Sequence, residues 1–278
     1  MKLVRWPNLF IIFVTQYFVA IFLAEAGIPF RHVITDPFFF LLCLSTVLIA
    51  AGGYIINDYY DIKIDYLNKP DRVIIGKGLN RRTALFVHVI VSVLGVSTGL
   101  LAGWKIGVTS FFAGFLLWLY SNQLKRLPFL GNLTIAVLTG MSIFMIVFYY
   151  GNNSSLVLAY SLFGFFSTLI REVIKDIEDL KGDETFGCKT LPILWGVRRT
   201  KAFILLLIFI FAIIFILIIR PYHILMLYFY LVLLTMPLLG FVWKLVTADT
   251  KKEFADLSRM AKIIMILGIG SMVFFKLY

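Results

Sequence analysis

Asp58, Asp61 and Asp65 stand at i, i+3 and i+7, and 118 residues further on Asp176, Asp179 and Asp183 repeat that spacing. At about 100° of rotation per helical residue, three such positions lie within about 60° of one another, on one face. Ten of the 15 acidic residues fall in two short stretches, 58–71 and 172–184, where solubility alone would scatter them. Like charges stacked on a helix face repel and destabilise it, so each face calls for a cation. Mg2+ fits the need: it takes one or two carboxylates, keeps several waters and fills its other positions with substrate phosphate oxygens. Two such faces turned towards each other would hold a diphosphate between metal ions. The plainer alternative is a solvated acidic face at each helix end, and the recurrence of one spacing so far along the chain speaks against it.

Other polar groups gather beside these two faces. Asn57 adds a neutral oxygen and an amide donor directly before Asp58, and Glu172 extends the second face by four residues. Arg72 follows Asn68-Lys69-Pro70-Asp71, a turn sequence, and Lys125-Arg126 follow Tyr120-Ser121. Arg5 and Asn8, about one helical turn apart, would reach the same mouth from the start of the chain. Each basic residue also has an ordinary reading, as a charge retained on the cytoplasmic side of a membrane.

That second reading follows from the elements that must carry these side chains. Of 278 residues 61% are apolar and only 15% charged, with a mean hydropathy of +0.95. A disordered chain is excluded, and a water-soluble core does not need this much apolar surface. Nine apolar runs, near 6–26, 37–57, 84–103, 106–120, 131–150, 154–171, 202–220, 222–243 and 259–277, predict nine membrane-spanning helices in one bundle. The fold class is all-α, a single domain over 1–278. The run at 106–120 is short, and Pro221 and His223 mark a tight turn between the seventh and eighth runs.

Nine spans place alternate connections on opposite sides, and the charges test that arrangement. Of the 26 Lys and Arg, 22 fall on the side of the N-terminus and the two acidic stretches, against Arg31, Lys105, Arg220 and Lys276 on the other. The N-terminus is therefore expected in the cytoplasm, and both acidic stretches at the cytoplasmic ends of the second and sixth runs. The net charge of +11, which in a soluble chain would point to nucleic acid, has the same origin, and no nucleic-acid partner is expected. Lys2, Arg5, an apolar run and Ala24-Glu25-Ala26 imitate a cleavable signal peptide, but the run is long enough to span and is expected to stay as the first helix. Cys43 and Cys188 form neither a disulfide framework nor a metal set, and read as free thiols.

Asn57-Asp58-Tyr59-Tyr60-Asp61-Ile62-Lys63-Ile64-Asp65 resembles the NDxxDxxxD motif of the UbiA-type intramembrane prenyltransferases, and Asp176 to Asp183 resembles their second motif, DxxDxxxD. Asn68-Lys69-Pro70-Asp71-Arg72 with Gly76, Tyr120-Ser121, Leu124-Lys125-Arg126 and Lys189-Thr190-Leu191-Pro192 are similar to further segments of that family. Val73 departs from it, where proline usually follows the arginine. The resemblance covers nearly the whole chain, since nine spans with motifs after the second and sixth is the family layout. It implies a cavity open to the cytoplasm and to lipid, in which Mg2+ on Asp58, Asp61, Asp65, Asp176, Asp179 and Asp183 binds a prenyl diphosphate. Arg72 and Lys125 would assist the leaving group, and Asn57, Tyr120, Ser121, Lys189, Arg5 and Asn8 would contact substrate. The prenyl group would pass to a lipid-soluble acceptor in the membrane. The short N-terminal segment looks most like the branch whose acceptor is geranylgeranylglyceryl phosphate, with aromatic and quinone-precursor acceptors as the alternative.

Two other classes compete. Membrane phosphotransferases that use CDP-linked lipids also pair aspartates with Mg2+, but their glycine-anchored motifs are missing from this sequence. A secondary transporter would place its charges near mid-membrane, at helices interrupted by Gly or Pro. These acids sit at the ends of the apolar runs, where chemistry on a soluble diphosphate is expected.

Overall fold

A computed structural model describes residues 3–24, 29–68, 73–151, 155–219 and 225–275, which fold as helices with no strand among them. Helix α1 (Trp6–Val19) has Pro7 in its first turn, where a missing N–H costs no hydrogen bond, and continues as a π-helical turn, Ala20–Ala24. After the short α2 (Phe30–Thr35) comes α3 (Pro37–Asn68), 32 residues long. The Asp36 carboxylate starts α3, accepting from the backbone N–H groups of Phe38 and Phe39 at 2.9 and 3.2 Å. Most of α3 is the second apolar run, and its last turns carry the first acidic motif. Helices α4 (Arg81–Ala102), α5 (Trp104–Asn122), α6 (Leu130–Tyr150) and α7 (Ser155–Glu178) follow. Two short helices, α8 (Leu180–Thr185) and α9 (Leu191–Trp195), lead to α10 (Val197–Ile219) and α11 (Leu225–Thr247). The last helix, α12 (Lys251–Gly270), begins with a capping box in which Thr250 and Glu253 satisfy each other's backbone N–H groups.

Among the described residues, seven helices are long and apolar enough to cross a membrane, and they match the first, second, third, fifth, sixth, seventh and ninth predicted runs. The fourth and eighth runs are helical as well, as α5 and α11, but stand outside those seven. Lys105, Thr109 and Ser110 lower the apolar character of α5, and Ser110 has a packing reason: it shares a hydrogen bond of 2.8 Å with Ser45 of α3. The turn predicted at Pro221 and His223 lies outside the described residues.

The outer faces are apolar and exposed. On α10, Phe209, Ile216 and Leu217 are each more than 60% exposed, a surface suited to lipid and unsuited to water. Inside, helices approach closely at small residues. A Cβ on Gly99 of α4 would stand 2.8 Å from the Ser45 hydroxyl and 3.0 Å from that of Ser110, so three helices meet there without side-chain bulk. One apolar core gathers the last turns of α1 and α6 with the first turns of α3 and α7, and closes the bundle at the end opposite the acidic motifs. A second ties α7 to α10, α11 and α12. At the motif end α1, α3, α5, α6, α7 and α12 surround an open space.

Candidate active site

That space is a cavity of about 1040 Å3, larger than the roughly 300–1,000 Å3 usual for small-molecule sites. Its mouth is polar and its interior apolar, with Ile12, Ile49, Leu116, Leu138, Met141 and Met145 among the lining side chains. Both acidic motifs open into it: Asp58, Asp61 and Asp65 from α3, and Asp176, Asp179 and Asp183 from the α7–α8 segment. The two segments also touch directly, α3 packing against α8.

The first motif is helical throughout, so its three carboxylates share a face as the spacing predicts. The second departs from that expectation. Helix α7 ends at Glu178, Asp179 has φ −96° and ψ 7°, and α8 starts at Leu180, so the three carboxylates lie on two helices at a bend. Backbone bonds from Asp179 N–H to Lys175 O (2.8 Å) and from Asp183 N–H to Asp179 O (3.1 Å) carry the chain through the bend, and the cavity still receives all three side chains.

Counter-charges and donors reach the acids from three other elements and from α7 itself. The Arg5 guanidinium donates to Asp58 at 2.9 Å and lies 5.0 Å from the Tyr54 ring centre. Arg5 holds this place with a left-handed backbone (φ 49°), costly for a residue with a Cβ and found where function over-determines the chain. Burial alone would lower the pKa of that guanidinium, but Asp58 outweighs it, and the net direction is upward. Lys125 donates to Asp61, and its side chain is only 10% exposed. Lys125 sits in a 3-10 turn, Leu124–Arg126, between α5 and α6, and Gly131 lets α6 pass close by: a Cβ there would be 2.8 Å from the Lys125 Cα. Asn132, in the first turn of α6, donates to Asp176 at 2.9 Å. Glu172 is bound by its neighbours, accepting from Arg171 at 2.9 Å and from Lys175 at 2.9 and 3.0 Å.

The remaining predicted site residues are spread. Asn57, Tyr120 and Asn8 line the cavity, and Tyr120 lies within electrostatic reach of Asp61, Glu172 and Asp176. Ser121 is buried and returns its hydroxyl to the Leu117 carbonyl at 2.8 Å, outside the cavity lining. The Lys189 side chain is exposed, though its N–H binds the Arg126 carbonyl at 2.9 Å and fastens the segment after the second motif to the Lys125 turn. Arg72 lies outside the described residues. Cys43 and Cys188 are free and buried, and burial, with Asp183 adding to it, pushes the Cys188 thiol up and away from the reactive thiolate. Sequence reasoning missed Asn132 and Tyr54. A polar amide in the first turn of an apolar run was the available signal for Asn132, and Tyr54 had none.

The six motif carboxylates thus face a hydrophobic cavity, with Arg5 paired to Asp58 and Lys125 to Asp61. Hard oxygen donors in this acidic excess suit a divalent ion such as Mg2+. Among the described residues no three of them gather into a cage, so an ion here would take one or two carboxylates and complete its shell from water and ligand.

Comparison with known proteins agrees with this fold. The UbiA prenyltransferase family matches residues 13–265. A digeranylgeranylglyceryl phosphate synthase of Saccharolobus solfataricus is 33% identical over 244 residues, 85% of this chain and 86% of the relative. A protein of the same name from Thermococcus gammatolerans is 37% identical over 164 residues, and the match spans only 59% of each chain. Two solved structures share the fold. One, described as a digeranylgeranylglyceryl phosphate synthase in membranes, has a TM-score of 0.71 at 24% identity, over 98% of this chain and 95% of the other. A UbiA homolog from Archaeoglobus fulgidus bound to GPP and Mg2+ has a TM-score of 0.68 at 16% identity, over 98% of both chains. The protein is an integral membrane protein of helices, and it belongs to the UbiA prenyltransferase family.

Proposed function

We propose that this chain transfers a geranylgeranyl group from its diphosphate to the free hydroxyl of geranylgeranylglyceryl phosphate, forming an ether lipid. The observation that carries the reading is one cavity in which two aspartate motifs and two cations meet an apolar interior. The names of the relatives point to the same acceptor.

Asp58, Asp61 and Asp65 with Asn57 would hold Mg2+ on one side of the diphosphate, and Asp176, Asp179 and Asp183 on the other. Bound there, the ions would neutralise charge on the departing diphosphate. Lys125 reaches the same place from its turn and adds a fixed donor where negative charge grows as the allylic C–O bond breaks; Arg72 is proposed for a similar task. The apolar interior keeps water from the allylic cation, and Tyr54, Tyr120 and Phe112 line it, supplying aromatic surface to a cation. Arg5 and Asn8 stand at the mouth, on the acceptor's path. The acceptor hydroxyl would attack the allylic carbon as the diphosphate departs and give up its proton to a carboxylate of the cavity mouth.

The whole chain is read as one domain of nine spans in the cell membrane. The positive-inside count supports a cytoplasmic N-terminus and a cavity mouth on the cytoplasmic side. Purified protein given geranylgeranyl diphosphate, Mg2+ and a panel of acceptors tests the reading by product mass. An ether formed on geranylgeranylglyceryl phosphate and abolished by EDTA is expected. Transfer to an aromatic acid alone would replace it.

A further inference from the structure

The cavity has a second basic region, on the wall formed by α7 and α12, that the diphosphate site does not use. Lys262 of α12 lines it and donates to the neutral Asn8 Oδ1 at 2.7 Å, forming no ion pair among the described residues. Arg171 of α7 lines the same wall, and its positive charge is close enough to act on Lys262. Two cations held near each other repel, and the arrangement is comfortable only when an anion stands between them.

Lys262 is not paired with an acid among the described residues, and Arg171 shares its one acid, Glu172, with Lys175. Glu172 takes bonds from both Arg171 and Lys175, so one carboxylate answers two cations there and leaves a positive surplus before Lys262 is counted. The Arg171 Nε is buried and has no hydrogen-bond partner among the described residues, so the one acid beside it does not satisfy this guanidinium fully. Asn8 is engaged at both ends, its Nδ2 donating to the Tyr54 hydroxyl at 3.3 Å and its Oδ1 receiving Lys262. Through that bond it holds the Lys262 ammonium in the cavity lining.

We infer that Lys262 and Arg171 form an anion subsite that reads the phosphate of the acceptor lipid, so that the enzyme selects a phosphorylated alcohol over the neutral one. The inference rests on the proposed acceptor. A phosphate on this wall and a diphosphate on the acidic wall keep the two negative groups apart, with the acceptor's hydroxyl directed to the apolar space between them.

The test uses the full chain in lipid nanodiscs, geranylgeranyl diphosphate, and two acceptors, geranylgeranylglyceryl phosphate and geranylgeranylglycerol. A charged hydrogen bond contributes about 10–100-fold in binding, so the wild type should favour the phosphorylated acceptor by about that factor. Lys262→Met should lose most of the preference through a raised KM for the phosphorylated acceptor, and Lys262→Arg should keep it. Asn8→Ala should raise the same KM by a smaller factor, which preserves the test should Lys262→Met fail to fold. Equal use of the two acceptors by the wild type overturns the subsite, and so does a Lys262→Met protein with its preference intact. A wild type that prenylates neither lipid but accepts an aromatic acid fails the acceptor reading itself, and the subsite with it.

Discussion

Lys125→Met removes a charge and keeps the stem that packs beneath it. In the resting site the ammonium and the Asp61 carboxylate pair with side chains only 10% and 15% exposed. Stripping one partner from a fully buried pair costs about 3–5 kcal/mol. Here the pair borders a wide cavity, and the loss should be nearer the cost of one unsatisfied polar group, about 1–3 kcal/mol. It should depend on metal. In the wild type an ion on Asp61 must displace the ammonium, whereas in the variant it meets a bare carboxylate. Thermal unfolding in detergent with EDTA should therefore show the variant clearly weaker, and millimolar Mg2+ should stabilise it more than the wild type. Turnover should move the other way. The displaced ammonium is the donor that meets the departing diphosphate, so kcat at saturating prenyl diphosphate should fall by about 10²-fold with Mg2+ in excess. Equal Mg2+ stabilisation of both proteins, or an effect confined to the acceptor KM, would refute the exchange.

Asp58→Ala, Asp61→Ala, Asp176→Ala and Asp179→Ala should each lose most activity, about 10²-fold or more, while still inserting; full activity in any two with Mg2+ in excess sinks the paired metal sites. A cysteine placed in 73–80 or 181–190 should react with an impermeant thiol reagent from the cytoplasmic side alone, and one beside Lys105 from the outside alone. Labelling of both motif segments from outside reverses the orientation. Gly131→Ala should lower turnover although Gly131 is not in the cavity lining, because its Cβ would press on the Lys125 backbone at 2.8 Å; unchanged kcat would show that the turn yields freely.

The motif helices are legible in the sequence because one spacing serves two purposes. The runs that fill α3 and α7 are apolar enough to announce membrane helices, and the aspartates continue their register into the mouth. What the sequence hides is set by tertiary contact. Lys125 and Asp61 are 64 residues apart, as the chain runs, and nothing local reveals that the ammonium of one meets the carboxylate of the other. Asn132 and Tyr54 are single polar residues in apolar helices, and only packing tells which acid or cation each will meet. The bend at Asp179 is likewise invisible to a count of rotations, which assumes one unbroken helix. Charge composition told that cations lie on the motif side, but it could not sort those on the acidic wall from those on the wall of α7 and α12.

Helix α3 has a property that concerns the bilayer more than the chemistry. Its origin is anchored by Asp36, which caps the helix and also accepts from the Tyr149 hydroxyl at 2.5 Å. From Pro37 to Asn57 the helix rises about 30 Å, at about 1.5 Å per residue, matching the roughly 30 Å of a hydrocarbon core. The aspartates start at the next residue, so α3 is long enough to act as a ruler, its start at one boundary of a hydrocarbon core and its aspartates at the other. A diphosphate stays in water and an isoprenoid tail stays in oil, and the mark has to coincide with the plane between them. A bilayer a few ångströms thicker draws the carboxylates below the headgroups, and a thinner one lifts them into solvent, unless the helix tilts to compensate. On the proposed function, the reach of the aspartates would therefore be matched to a membrane thickness as well as to a substrate.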